Sequence, residues 1–356
     1  MYKCFKSNFK KLLFRFFAFE LCFVCFISCQ NQNNSSGTQS SGSEKKQYVN
    51  VVNWNLQTFF DSQTKGNEYS DFQNASKWSK DKYLIRLSNL CQVITSLNAD
   101  IYVFEELENE GILYDISNQL AGRSWNLKEN WNYAAFTCDN NSCIGLGILS
   151  KFPLSDLKSH SLDIRVQGES QPSSRPILQV KVQLDESELI ILANHWKSKL
   201  GGQKETEIWR DWQEFNLAQV IDNICRQNTD NQKCKLLICG DFNRDIEDFI
   251  SQDDFMDRGK IYLRGFSLQD GEKTVELYSP WVFRNGLLLG ETGSYFYEDS
   301  WSRIDNFFLL DSDLLLDFSA KAEDPWADEN NVPVPYKIYT GQGFSDHLPI
   351  YCRLEL

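Results

Sequence analysis

The stretch LLICGDFN, residues 236–243, constrains this chain more than any other. Its four apolar residues are too few for a helix and leave neither face polar, which predicts a strand buried on both sides. Gly240 breaks the run, and Asp241 and Asn243 follow at a spacing of two. Strand side chains alternate, so that spacing turns the carboxylate and the amide the same way where the chain leaves the sheet. A plain Asx turn would use the same residues. Other segments repeat the pattern, however. Residues 101–104 (IYVF) run into Glu105 and Glu106, residues 189–194 end on His195, and Asp346 and His347 precede a last apolar run.

Around these runs the periodicity alternates between two and 3.6. Residues 48–56 predict a strand ending near Asn53, Asn55 and Gln57. Residues 80–97 place Leu84, Leu87, Leu90, Cys91, Ile94 and Leu97 at helical spacing, and Asn98-Ala99-Asp100 stops that helix. With the strand at 101–104 this makes a βαβ-like unit. A short helix is expected near 112–120, strands at 133–136, 145–150, 177–184 and 189–194, and a second long helix over 205–225. The apolar side of that helix would be Ile208, Trp212, Phe215, Ala218, Ile221 and Cys225. Residues 250–300 give no clear pattern, and apolar runs at 303–310 and 348–354 close the chain. The predicted class is α/β, a layered α/β sandwich of two packed β-sheets flanked by helices.

The beginning of the chain reads as an address. Lys3, Lys6, Lys10, Lys11 and Arg15 precede an apolar stretch, residues 16–28, that is too short to span a bilayer, the layout of an export signal. Residues 26–29, FISC, resemble the lipobox of bacterial lipoproteins, with Cys29 as the lipidated residue after a removed segment 1–28. Residues 29–47 hold almost nothing apolar and predict a flexible tether. One catalytic domain is expected over 48–356.

The full chain carries a net charge of −13, and residues 1–28 hold five basic groups and one acidic group, so the remainder has 31 basic against 48 acidic groups, a net −17. A protein that gripped DNA by broad phosphate neutralisation would be basic. Any polyanionic substrate here calls for bound cations. Seven cysteines follow Cys29. In an exported chain Cys138 with Cys143, and Cys225 with Cys234, are candidate local disulfides, whereas Cys91, Cys239 and Cys352 sit in apolar runs.

Of three histidines, His195 and His347 stand at strand ends among polar residues, while His160 falls in a polar loop. Glu106 at the end of a buried strand is costly unless paired or bound to a cation. With Asp241, Asn243, Asp305 and Asp346 it makes a hard, oxygen-rich set that suits Mg²⁺, Mn²⁺ or Ca²⁺ better than zinc. Such a set fits phosphate-ester hydrolysis, with a cation polarising the phosphoryl group and an Asp or His taking a proton from water.

WNLQ around Asn55, DIYVFEELEN around Glu106, GLGILSKFP, SSRPIL around Arg175, ILANHWKSK around His195, LLICGDFN, SRIDNFFLL around Asp305 and FSDHLPI around His347 together resemble the endonuclease/exonuclease/phosphatase superfamily, the metal-dependent fold shared with DNase I. The motifs follow that family's order over nearly all of 48–356. The resemblance implies that Asn55, Glu106 and Asp346 serve a divalent cation, Mg²⁺ first, with Glu106 the most direct ligand. It implies His195 as general acid on the scissile phosphate, Asp241 as the group that activates water, Asn243 on a phosphate oxygen, and Asp305 paired with His347 as base or electrostatic partner. Arg175, Tyr133, Lys197 and Lys199 would face the substrate. Two departures stand out: Glu105 where the family usually has Gln, and Gln57 where some DNA-repair members carry Asp.

NHWKSKLGGQ resembles secreted bacterial nucleases, in which Lys-Ser-Lys follows the phosphate-binding His. The expected protein is therefore a nuclease of low sequence specificity, with DNA ahead of RNA as substrate. It would be a monomer on the bacterial cell envelope, periplasmic or outer, touching the membrane only through its N-terminal lipid. A phosphodiesterase on a lipid headgroup or phosphoinositide, with an apolar hairpin from residues 278–297, is the second expectation, and a non-catalytic surface binding protein the third.

Overall fold

The computed structural model describes residues 46–123, 130–162, 168, 171–227, 234–250, 260–267, 271–282, 288–290 and 292–356. The expected signal segment, Cys29 and all but the end of the expected tether lie outside the described residues. Gln47, read as tether, is tied down instead. Its N–H donates to Leu356 O at 3.1 Å and its carbonyl accepts from Leu356 N at 2.8 Å.

The chain runs through β1 (Tyr48–Phe59), the one-turn α1 (Ser70–Gln73), α2 (Lys80–Leu97), β2 (Ile101–Leu107) and α3 (Glu110–Arg123). It continues with β3 (Tyr133–Thr137), β4 (Gly145–Ser150), β5 (Leu154–His160), β6 (Ile177–Gln183), β7 (Glu188–His195), α4 (Gln203–Gln227) and β8 (Leu236–Asp241). The remaining strands are β9 (Lys260–Ser267), β10 (Gly271–Tyr278), β11 (Tyr295–Tyr297), β12 (Ser300–Ser302), β13 (Asp305–Leu309), β14 (Leu315–Ala320) and β15 (Ile350–Glu355).

Six strands form one sheet in the order β14-β15-β1-β2-β4-β3, and seven form the other in the order β5-β6-β7-β8-β13-β10-β9. The layered α/β sandwich expected from the sequence is the one observed. β1 pairs in parallel with β2, and β7 with β8. Each pair is bridged by a helix, α2 or α4, so both crossovers are βαβ units. The inner faces of the two sheets meet in a core that includes Val51, Val103, Ile191 and Cys239, while Val52, Trp54, Tyr102 and Phe104 face a second core under α2 and α3.

Alternation explains that split in β1, with Val49 and Val51 turned inward and Val52 and Trp54 outward. α2 begins where Ser79 Oγ accepts from Lys82 N and ends where Asn98 takes a left-handed φ of 43°. No helix among the described residues is long and apolar enough to cross a membrane.

Four expectations are corrected. The buried side of α4 is rotated from the expected one: Trp209, Gln213 and Leu217 are buried, while Ile208 and Trp212 are exposed. Arg210 and Glu214 are buried there too, because each is satisfied by polar partners. On α2, Leu84 is exposed and Arg86 takes a place in the buried stripe. His160 closes β5 rather than sitting in a loop, with its Nε2 2.9 Å from Gln179 Oε1. Cys138, Cys143, Cys225 and Cys234 are all free thiols. The Cys138 sulfur is turned back into its own turn, toward the carbonyls of Asp139, Ser142 and Ile144.

Candidate active site

The inner face of β1 changes from apolar to polar along its length: Val49 and Val51, then Asn53 and Asn55, all buried. β2 does the same with Ile101, Val103 and Glu105, and the register sets Asn55 beside Glu105. On the opposite sheet His195 lies across from Asp241, and Asp241 across from Asp305, so three functional groups share one rung of adjacent strands. Gly240 permits this crowding. Its φ is 145°, and an added Cβ would stand 2.0 Å from Asn194 O.

Alternation alone would send Glu106 outward with Tyr102 and Phe104. Two local distortions bring it back. Its φ is 64°, in the left-handed region, and the pairing of β1 with β2 jumps from Asn55–Glu105 to Phe59–Leu107. Residues 56–58 of β1 thus oppose one residue of β2, a bulge that redirects a side chain. Thr58 N donates to Glu106 Oε2 at 2.6 Å, and Gln57 N to Asn55 Oδ1 at 3.0 Å. Strained backbone held by tertiary contacts is typical of functional sites, and Asn243 shares it with a φ of 48°.

The groups from the two sheets meet. Asn55 Nδ2 donates to Asp241 Oδ2 at 3.0 Å and lies 3.5 Å from Glu106 Oε1. His195 Nε2 stands 3.7 Å from Glu106 Oε1 and 3.8 Å from Asp241 Oδ2. His347 Nδ1 lies 2.8 Å from Asp305 Oδ2, with its Nε2 4.0 Å from Asp346 Oδ1. Asn243 N donates to Asp241 Oδ1 at 2.8 Å and its amide to Trp196 O at 3.3 Å. The His347 loop is fastened to β1 by Ser345 Oγ donating to Asn55 O at 2.6 Å and Trp54 Nε1 donating to His347 O at 2.9 Å.

Burial drives the electrostatics, and the two imidazoles separate. Burial, with Arg175 and His347 adding to it, holds His195 well below the ordinary histidine value, so it is neutral. Burial works against a charge on His347 as well, but Asp305, Asp346 and Asp241 outweigh it and push His347 well above that value. Asp241 is pushed up to about 7 by burial and by Asp305. Glu105 rises well above the carboxylate range through burial, Asp305 and Asp241, and Glu106 rises through burial against the pull of Arg175.

Asn55, Glu106, His195, Asp241, Asn243, Asp305, Asp346 and His347 therefore converge, with Arg175 close enough for its charge to act on Glu106 and His195. Lys197 turns its ammonium into its own loop, onto Ser198 O at 3.1 Å and Leu200 O at 3.3 Å. The charge of Lys199 acts on Asp248. Tyr133 is a correction. It pairs with Ser150, which pairs with Ile101, at the end of the sheet away from Glu105, because β3 runs antiparallel to β4.

Several contributors carry no motif in the sequence. Tyr295, from a region without clear pattern, packs its ring on His347 with centroids 4.7 Å apart. Arg244, next to Asn243, ion-pairs with Glu214 at 2.5 Å, with Asp211 at 2.7 Å and with Glu207, which fixes the turn to α4. Arg86, a charged residue at a buried position of α2, is another.

Asp241, Asp305 and His347 offer ligand atoms within 4.8 Å of one another, and Asp305 Oδ1 is buried without a partner. Five carboxyl groups crowd one mouth, Glu105, Asp241 and Asp305 buried at its floor and Glu106 and Asp346 partly exposed. Such a donor set, hard and in excess of its local positive charge, fits a divalent cation. Fold and site together define an α/β-sandwich hydrolase of the phosphoesterase type. The chain belongs to the Endonuclease/Exonuclease/phosphatase family, whose model matches residues 48–356. Truncated TDP2 of Caenorhabditis elegans shares the fold at 15% identity and a TM-score of 0.51, covering 87% of this chain and 98% of its own. An endonuclease/exonuclease/phosphatase family protein from Bacteroides thetaiotaomicron does so at 13% identity and a TM-score of 0.51, covering 88% and 97%. No curated protein matches the sequence.

Proposed function

We propose that this protein is a divalent-cation-dependent phosphodiester hydrolase, an exported nuclease of low sequence specificity held at the bacterial envelope by lipid on Cys29. The observation that carries the hydrolase reading is that Glu106 Oε1 of one sheet and Asp241 Oδ2 of the other both lie within 3.8 Å of His195 Nε2. Glu106, with Asp346 beside it, would hold the cation, Mg²⁺ first and Mn²⁺ or Ca²⁺ as alternatives. That ion would polarise the phosphoryl group and stabilise the leaving oxygen.

The chain's own groups do the rest. Asp241, poised near neutrality, takes the proton of the attacking water. His195, held neutral by burial, donates from Nε2 to an oxygen of the scissile phosphate. His347, kept charged by Asp305, offsets negative charge that develops on the phosphate. Asn243 and Arg175 orient the phosphate of the expected substrate, a nucleic-acid strand, DNA ahead of RNA.

A second reading has one observation in its favour. The hairpin of β11 and β12 carries Tyr297, 61% exposed, on the same side as Tyr295, which covers His347. An exposed aromatic at the mouth also suits a phosphodiesterase on a lipid headgroup. The full-length protein incubated with plasmid, RNA, sphingomyelin and inositol phosphates, with Mg²⁺, Mn²⁺, Ca²⁺ or chelator and a His347→Ala control, separates the readings. Metal-dependent nicking lost in the variant supports the nuclease. Headgroup release without nicking supports the second reading, and inactivity on all four substrates rejects both.

A further inference from the structure

The bulge at residues 56–58 has two faces. Its N–H groups point to the site, where Gln57 N holds Asn55 Oδ1 and Thr58 N holds Glu106 Oε2. Its carbonyl groups point away, and one side chain takes all three. Arg86 of α2, 1% exposed, donates from Nη2 to Leu56 O and Gln57 O, each at 2.7 Å, and from Nη1 to Thr58 O at 2.9 Å. Its guanidinium lies between the ring of Tyr336 at 3.8 Å and that of Phe59 at 4.6 Å.

This is an uncommon way to bury an arginine. Among the described residues Arg86 makes no ion pair, although a buried cation without a carboxylate is costly to desolvate. The position lies in the apolar stripe of α2, beside Leu87 and Leu90, where a hydrocarbon would serve packing alone. What the guanidinium does that a hydrocarbon cannot is fix three carbonyls at once in a planar fork. Gln57 and Thr58 have φ of 52° and 56°, a left-handed conformation that is strained for a side-chain-bearing residue and persists only where the surroundings impose it. Donation to a peptide carbonyl also polarises the peptide, which strengthens its N–H as a donor. Gln57 is held from a third side, since its Oε1 accepts from Tyr336 N at 2.7 Å.

We propose that Arg86 is a positioning residue for the cation-binding groups: by clamping the carbonyls of residues 56–58 it aims the amides that orient Asn55 and Glu106. The proposal rests on the reading above that Glu106 holds a divalent cation. Supports of this kind, one step removed from the ligands, typically set metal affinity by about 10- to 100-fold.

The test is calorimetric titration of the full-length protein with Mn²⁺, beside melting curves in chelator, for wild type, Arg86→Lys, Arg86→Gln, Tyr336→Leu and Leu90→Ala. Leu90→Ala opens a hole in the same helix packing without touching the clamp and supplies the purely structural reference. Arg86→Lys and Arg86→Gln are expected to weaken Mn²⁺ binding about tenfold or more, beyond any loss in a Leu90→Ala protein of similar melting point. Were Arg86 merely a positive charge near the cation, Arg86→Gln would bind more tightly. Tyr336→Leu, which loosens the guanidinium but leaves it in place, should weaken binding less and stands in if the Arg86 variants do not fold. Folded variants with unchanged or tighter Mn²⁺ binding overturn the clamp alone. A wild-type protein that takes up no Mn²⁺ overturns the cation reading and the clamp with it.

Discussion

His347 Nδ1 and Asp305 Oδ2 stand 2.8 Å apart in a buried pair whose members are 42 residues apart in sequence. Asp305 keeps His347 charged inside the site, and loss of the pair should be felt in both stability and rate. Asp305→Asn leaves a buried imidazole without its counter-charge, which typically costs about 3 kcal/mol or more. Chemical denaturation in chelator would read that loss, and steady-state kinetics should show a fall of roughly a hundredfold or more in kcat.

The pH dependence of the metal-free protein follows from the same shifts. His347 is raised, so its stabilising contribution is whole below 6.5 and is lost as pH climbs through its folded value. Asp241, at about 7, retains a proton that the unfolded chain has released, so its ionisation also weakens the fold on the way up to that pH. His195 acts in the opposite sense, but only below 6.5. Melting temperature in chelator should therefore fall as pH rises above 6.5, by the equivalent of about 1.4 kcal/mol per pH unit for each proton retained. Saturating Mg²⁺ should reduce that fall.

Glu105 is fully buried beside Asp241 and Asp305 and holds a proton where an ordinary carboxylate would not. Glutamine has the shape of that neutral form. Glu105→Gln should keep turnover within a few-fold of wild type and raise the melting point. Because the folded carboxyl value is raised, the gain should widen as pH increases above the ordinary glutamate range. A large loss of kcat with intact folding would show that the acid itself is needed.

Gly240→Ala should be among the most damaging single-methyl changes in the chain. The added carbon meets the backbone of Asn194, and the φ of 145° excludes an L side chain. Since β7 and β8 would have to part where they carry His195 and Asp241, loss of soluble protein or a destabilisation of about 3 kcal/mol is expected.

Sheet strands and the groups at their ends were legible because short apolar runs that stop at polar pairs leave few alternatives. LLICGDFN led to β8 and Asp241, and the helix at 80–97 was found with its bounds. Glu106 was named from its motif, yet alternation would have turned it outward. Only the bulge and its left-handed φ, which depend on residues 56–58 and on Arg86, explain its direction. Tyr133 failed for the converse reason, since strand register decides which end of a sheet a residue occupies and a single motif does not encode it. The rotation of α4 was missed because ion pairs let Arg210, Glu214 and their neighbours be buried at positions that a hydropathy pattern assigns to solvent.

The central claim, that this mouth hydrolyses phosphodiesters with a divalent cation, is tested most directly on bis(p-nitrophenyl) phosphate, which needs no macromolecular recognition. The full-length protein should release nitrophenolate with Mg²⁺ or Mn²⁺ and not in chelator, and Asp241→Asn should lower the rate by a factor on the order of a thousand. Folded wild-type protein that releases none with either ion, or an Asp241→Asn protein that is as fast as wild type, would contradict it.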